Sequence, residues 1–207
     1  TLPSASLEVG YPDVPHFEMF NGVKLDRFTF QMQRSGNLTA TVGLKAQGLA
    51  TPTTTSDGGT ASDFTLERFG QFNGAITRNG SALGNVVSAD ITYANNLDRI
   101  ETIRSDGRID GADPSIAALT GSIEVRFAGQ TLVTQAINGD PCELAFAWVL
   151  PSGESFTFTV HAVYLPRPRI EISGPQGVQA TFDWQAARDS VVGRMCTATL
   201  INDIEVY

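Results

Sequence analysis

Between Lys24 and Ala46 the chain alternates. Phe28, Phe30 and Met32 are interleaved with Thr29, Gln31 and Gln33. Beyond Ser35-Gly36-Asn37, the residues Leu38, Ala40, Val42, Leu44 and Ala46 are interleaved with Thr39, Thr41, Gly43 and Lys45. Strand side chains point to opposite faces with period two, so this predicts a hairpin with one buried apolar face and one wet face. Gly and Asn in the turn tolerate the positive φ of a tight hairpin. The same plan recurs from Arg169 to Ala186. There a Ser173-Gly174-Pro175-Gln176-Gly177 turn leads into Val178, Ala180, Phe182, Trp184 and Ala186, alternating with Gln179, Thr181, Asp183 and Gln185.

The remaining pattern is also mostly strand. Thr1 to Asn21 carries Pro3, Pro12 and Pro15 around Ser6–Val9 and reads as an arm or edge segment. Leu49 to Asp63 is a low-complexity stretch that cannot offset its ordering by burial, so either a flexible loop or an arm that orders on a partner is expected. Phe64–Thr77, Val86–Tyr93, Ser122–Phe127, Glu143–Leu150, Ser155–Leu165 and Met195–Tyr207 are strand candidates, with Arg99–Arg104 as a weak extension. Asn79-Gly80 and Pro151-Ser152-Gly153 are expected turns. Gln130–Ile137 has apolar residues at helical spacing and a stop at Asn138-Gly139. Asp113-Pro114 is expected to open a short helical turn through Ala118. About nine to eleven strands with one or two short helices predict an all-β, mainly antiparallel β-sandwich or barrel.

Composition narrows the function. The formal charge is −8, and Lys24 and Lys45 are the only lysines; a protein that grips nucleic acid needs cations to displace phosphate counterions. No apolar run is long enough for a membrane helix. Cys142 and Cys196 read as small buried residues rather than a bridge. The chain begins at Thr1 without a methionine, as a processed chain or one lacking its beginning would. His16 and His161 have no nucleophile and acid arranged near them in sequence, which points to structural roles. Asp106, Asp110 and Asp113 lack the spacing of a calcium loop. No phosphate-binding, dinucleotide or Cys/His metal motif occurs, so neither enzyme chemistry nor a cofactor is expected.

The ordered set of elements resembles one family. SLEVGYPDVPHFEMFNGVKLDRFTFQMQRSGNLTATVGLKAQG is similar to the lead-in and glycine-turn strand pair of bacteriophage tail tube proteins, the major tail proteins of long non-contractile, siphovirus-type tails. FNGAITRNGSALGNVVSADITYANNLDRIETI resembles their second signature. LTGSIEVRFAGQTLVTQAINGD resembles their T-G-x-I-x-V-x-F strand and outer helix, and ESFTFTVHAVYLPRPRIEISGPQGVQATFDWQAARD their closing hairpin. The resemblance implies a ring-forming β-barrel and a structural role. Copies of the chain would stack as rings, hexamers or pseudo-hexameric trimers, into a tube for genome ejection. Partners would be the tape measure, tail terminator and distal tail proteins, and genomic DNA would pass without specific binding and without a membrane step. The location would be the virion tail, assembled in the host bacterial cytoplasm.

Ser6–Ala46 echoes Ser155–Ala187, which suggests a tandem arrangement. Residues 1–48 would be the arm and first hairpin, closing a first tube unit; 49–63 the loop; and 64–207 a complete second unit. Family members are often longer at the N-terminus, so a preceding portion is expected. On this reading Thr29, Gln31, Gln33, Thr39, Thr41, Lys45, Gln179, Thr181, Asp183 and Gln185 would face the lumen. Tyr11, Asp13, His16, Thr51, Thr53, Thr54 and Asp57 would contact the next ring. The competing reading is a β-sandwich binding module for carbohydrate or a host surface; a glycoside hydrolase is a third. Trp148 and Trp184 fall on the apolar side of their strands, which favours core over a sugar-binding platform.

Overall fold

The computed structural model describes residues 2–59, 67–126, 131–171 and 179–203. The strands are β1 (Ala5–Tyr11), β2 (His16–Met32), β3 (Ala40–Lys45), β4 (Gly48–Leu49), β5 (Gly74–Arg78), β6 (Ser81–Ala82), β7 (Val86–Ala94) and β8 (Asp98–Ile100). They continue as β9 (Gly111–Asp113), β10 (Ala118–Arg126), β11 (Cys142–Val149), β12 (Ser155–Tyr164), β13 (Arg169–Glu171), β14 (Gln179–Ala187) and β15 (Cys196–Ile201), with one helix, α1 (Thr131–Asn138). The all-β, antiparallel expectation holds. The chain forms two compact units from interleaved segments: Thr1–Phe28, Thr41–Leu66 and Tyr93–Ala117 make unit 1, and Thr29–Ala40, Glu67–Thr92 and Ala118–Tyr207 make unit 2. β2 and β7 each run from one unit into the other, so no single cut of the sequence separates them.

In unit 1, β1, β3 and β4 all pair with β2, and β8 pairs with β9. The proline-bearing lead-in is an edge strand joined to β2 by a hairpin: β1 stands at the end of the strand order, Tyr11 pairs with His16, and a turn over 12–15 is closed by the Val14 N–H on Tyr11 O at 3.1 Å. Pro12 and Pro15 lie in the turn, where a missing N–H costs nothing. The described part of the low-complexity loop is also held. Phe17 and Thr53 exchange backbone hydrogen bonds of 2.9 and 3.1 Å. Ser56 Oγ, Asp57 N and Gly58 N donate to the Glu8 carboxylate at 2.9, 3.1 and 2.9 Å. Ordering there rests on backbone and carboxylate hydrogen bonds, which composition does not reveal; 60–63 lie outside the described residues.

In unit 2 the strand order runs from the end of β2 through β7, β10, β14, β12, β11 and β5 to β6, with β13 on β14 and β15 on β12. A flat sheet would put β2 and β11 about 24 Å apart at ~4.8 Å per step. Yet the Phe30 ring centroid is 6.5 Å from that of Phe146 and 5.2 Å from that of Phe158. The sheet therefore rolls over on itself around one aromatic core, with Trp148 and Trp184 0% and 2% exposed. Gln71 helps close the roll. Its side chain donates to Gln31 O at 2.8 Å and accepts from Gln33 N at 3.2 Å and Trp148 Nε1 at 3.4 Å.

Several expectations change. Of the strand expected from Phe64, residues 64–66 lie outside the described residues; among those described, β5 begins at Gly74, after a 3₁₀ turn over Gln71–Asn73 that leaves Phe72 exposed. The helical turn expected after Asp113 does not form: Asp113 ends β9, which pairs with β8, residues 114–117 are irregular, and Ala118 opens β10. Leu132, Val133 and Ala136 of α1 are only half-buried, and Gln130 lies outside the described residues. Asn79 and Gly80 form the expected turn at φ +47° and +75°. Both cysteines are free thiols, and burial pushes their pKa values up, so that the neutral thiol is favoured.

Candidate functional site

The site is a sheet face in unit 2. Along β14, Ala180, Phe182, Trp184 and Ala186 are buried while Thr181, Asp183 and Gln185 are exposed. β10 lies beside it in register, with Thr120 opposite Gln185, Ser122 opposite Asp183 and Glu124 opposite Thr181. Directly opposed residues share a face, and Leu119, Ile123 and Val125 turn the other way, into the core. β7 extends the face: Ser88 Oγ donates to Glu124 Oε2 at 3.0 Å, and the Ser122 hydroxyl donates to the Asp90 carboxylate. Ala89 and Ile91 fill the buried side of β7. Three strands thus present hydroxyls, amides and the carboxylates of Asp90, Glu124 and Asp183. Arg126, opposite Gln179, stands at one end.

Backbone fit supports this face. Gly121 pairs with Trp184, and a Cβ there would meet Asp90 O at 2.1 Å and the Trp184 ring at 2.4 Å. Only glycine lets β7, β10 and the indole close up together.

The sequence-predicted residues divide among three places. Thr181, Asp183 and Gln185 sit on this face, and Gln179 is half-buried at its end. Gln31 and Gln33 are exposed, with Gln33 Nε2 donating to Gln31 Oε1 at 3.2 Å; Thr29 is half-buried on the same side of β2, opposite Phe30. Thr39 and Thr41 are exposed, but so are Val42 at 51% and Leu44 at 45%. The expected burial of that apolar row does not occur: alternation reports which side chains share a face, not whether anything covers it. Lys45 is half-buried and its Nζ lies 3.3 Å from the Asp26 carboxylate while donating to Leu97 O. Lys24 donates to Ala112 O at 2.7 Å. Both lysines are engaged inside unit 1.

Of the residues expected at a neighbouring ring, Tyr11 and His16 stand together with ring centroids 6.1 Å apart. Asp13, Thr51, Thr54 and Asp57 are exposed, and Thr53 is half-buried in its pairing with Phe17. Thr120, Ser122, Glu124, Ser88 and Asp90 share this face and lie outside the sequence-predicted set. The alternation in VVSADITYA and ALTGSIEVR carried the signal.

The other chemistry is internal. Arg104 contacts Asp106 and Asp110, each at 2.9 Å, and holds the Asp106 carboxyl well below the usual carboxylate range. A guanidinium therefore occupies the position that a cation would need between those two acids. His161 on β12 is engaged by Glu143 at 3.3 Å and the Thr197 hydroxyl at 2.8 Å, a tie across β11, β12 and β15. Trp148 and Trp184 are core residues and offer no stacking platform.

The described residues thus define an antiparallel all-β protein with a broad wet face on β7, β10 and β14. The family comparison is specific: the model described as "Phage tail tube protein" matches residues 1–186, and the chain belongs to that family. It is a structural protein of the phage tail and a component of the virion. No curated protein sequence matches it. Among solved structures, the cap of the anti-feeding prophage, which terminates that particle's tube, is similar at 13% identity and a TM-score of 0.46, over 69% of this chain and 95% of that one.

Proposed function

We propose that copies of this chain assemble into stacked rings that form the tail tube, and that the β7–β10–β14 face lines the channel through which the genome leaves. The observation that carries this reading is the face itself: hydroxyls, amides and three carboxylates, with no lysine and with one arginine, Arg126, at its end. Such a surface hydrates well and repels phosphate, so DNA slides along it without counterion release to hold it. A net charge of −8 repeated around each ring adds to that repulsion. Thr29, Gln31 and Gln33 would extend the lining along β2, and the Tyr11–His16 end and the 51–57 loop would meet the next ring. A hexamer or a pseudo-hexameric trimer, bounded by tape measure, terminator and distal tail proteins, completes the scheme. Assembly would take place in the host cytoplasm.

Negative-stain microscopy of purified protein tests the assembly, with rings or tubes expected; protein that stays monomeric at high concentration contradicts it. The lining is tested separately by Thr181→Lys, Asp183→Lys and Gln185→Lys together. Tubes should still form, but ejection should slow and DNA should stay bound in a salt-sensitive manner. Unchanged ejection from such tubes places the lining elsewhere.

A further inference from the structure

The sequence holds four Asn-Gly pairs, beginning at Asn21, Asn73, Asn79 and Asn138. Such a pair can react with itself. The glycine backbone nitrogen attacks the asparagine Cγ, and with no Cβ on the glycine nothing stands in the way. Two conditions decide whether this happens in a folded chain. The asparagine side chain must be free to swing onto its own main chain, and the glycine N–H must come away from any carbonyl that holds it.

Three pairs fail these conditions. Asn79 is pinned twice: its Oδ1 accepts from Glu143 N at 2.8 Å, and its own N–H donates to Glu143 O at 3.0 Å. Asn73 lies in the 3₁₀ turn, where the Gly74 N–H returns to Gln71 O. Gly74 is also wedged in place, since a Cβ there would lie 2.5 Å from Met32 Cε. Asn21 is half-buried inside β2, pairs with Gly48, and accepts the Ser6 hydroxyl at 3.4 Å. Asn138 differs. It is the last residue of α1, it and Gly139 are both exposed, and its side chain has no hydrogen-bond partner among the described residues. One bond restrains the pair, the Gly139 N–H donating to Gln135 O at 3.0 Å. Helix ends fray, and α1 is weakly anchored, with none of its described residues fully buried.

We propose that Asn138-Gly139 is a modification site, where the folded protein converts asparagine spontaneously to isoaspartate and aspartate whether or not the chain forms a tube. The Gly139 nitrogen bonds to Asn138 Cγ as the Cγ–Nδ2 bond breaks, and ammonia leaves with the proton that the Gly139 N–H gives up. Water then opens the succinimide ring. Attack at the Asn138 main-chain carbonyl leaves isoaspartate, attack at Cγ leaves aspartate, and either product carries one more negative charge than asparagine. The isoaspartyl chain runs through the former side chain, so an extra carbon separates the Asn138 Cα from Gly139 and the bond to Gln135 O is lost. The new carboxylate also stands at the negative end of the helix dipole. Gln135 ties α1 to Arg78 of β5, so the helix loosens at that attachment.

The folded full chain is incubated in mildly alkaline buffer and digested with trypsin, and isoaspartate is then labelled by isoaspartyl methyltransferase. Cuts after Lys24, Arg68, Arg78 and Arg126 put the four pairs on separate peptides. Label at Asn138 should accumulate at least about tenfold faster than at any other pair, because a fraying helix end opens more often than paired strands. In the chain unfolded by urea the four pairs should react at similar rates, since only the fold distinguishes them. Asn138→Gln should remove the leading signal. Deamidated protein, separated by its added charge, should exchange amide hydrogens faster over 131–139 and at the untreated rate in β10 and β14. Label that appears first at another pair, at all four alike in folded protein, or not at all at Asn138 overturns the assignment. Unchanged exchange over 131–139 overturns the loosening of α1.

Discussion

Three side chains show what single positions contribute. Gly121 has no room for a methyl group, since Asp90 O and the Trp184 ring occupy that space. Gly121→Ala should cost about 1–3 kcal/mol or more by overpacking, measured as a lowered unfolding midpoint. Gln71 satisfies Gln31 O, Gln33 N and Trp148 Nε1 from a buried position. Gln71→Leu should cost about 1–3 kcal/mol through the groups left unpaired. Glu8 makes a prediction about pH. The Gly58 N–H, then the Ser56 hydroxyl and the Asp57 N–H, hold its carboxyl below the ordinary 4.5. A carboxyl lowered in this way stabilises the folded form above its unfolded value, and the contribution is lost as pH falls through the lower folded value. The Gly58 amide resonance should therefore titrate with a midpoint below 4.5, and a midpoint at or above it contradicts the clamp. None of the three roles was legible in the sequence. Each depends on partners between 31 and 77 positions away, and local pattern does not encode such distances.

At the scale of elements, period-two alternation was a good guide wherever one face is buried. β10, β11 and β14 follow it throughout, and β7 and β12 over most of their length, because a covered core side enforces the pattern. It failed where burial is partial. β3 alternates in sequence, but its apolar residues are exposed. The prolines at 3, 12 and 15 suggested an arm or edge segment, and β1 is an edge strand; Pro12 and Pro15 mark the turn that joins it to β2. The polar loop suggested mobility, whereas its described part pairs with β2 and caps Glu8. Deleting Thr51–Ala61 removes both sets of contacts. Amide protection should drop at Phe17 and its neighbours in β2 while β10–β14 stays protected, and hydrogen exchange resolves the two. Uniform protection would show that the loop is not part of unit 1's stability. Assembly of that variant should be impaired.

For the molecule as a whole, the two units divide the burial unequally, and this has an optical consequence. Both tryptophans lie in unit 2, buried within the rolled sheet. Indole emission therefore reports the environment of unit 2 and is blind to unit 1. The two indoles also differ: the Trp148 N–H meets Gln71, while the Trp184 N–H has no acceptor among the described residues. Far-ultraviolet circular dichroism, by contrast, sees the backbone of both units. Because unit 1 holds the smaller share of the buried core among the described residues, subunits heated under both probes should lose part of their dichroism before their fluorescence changes, a departure from two-state behaviour. Coincident curves contradict this, so a pair of melting curves reads out how far the weaker half of the chain borrows its order from the other.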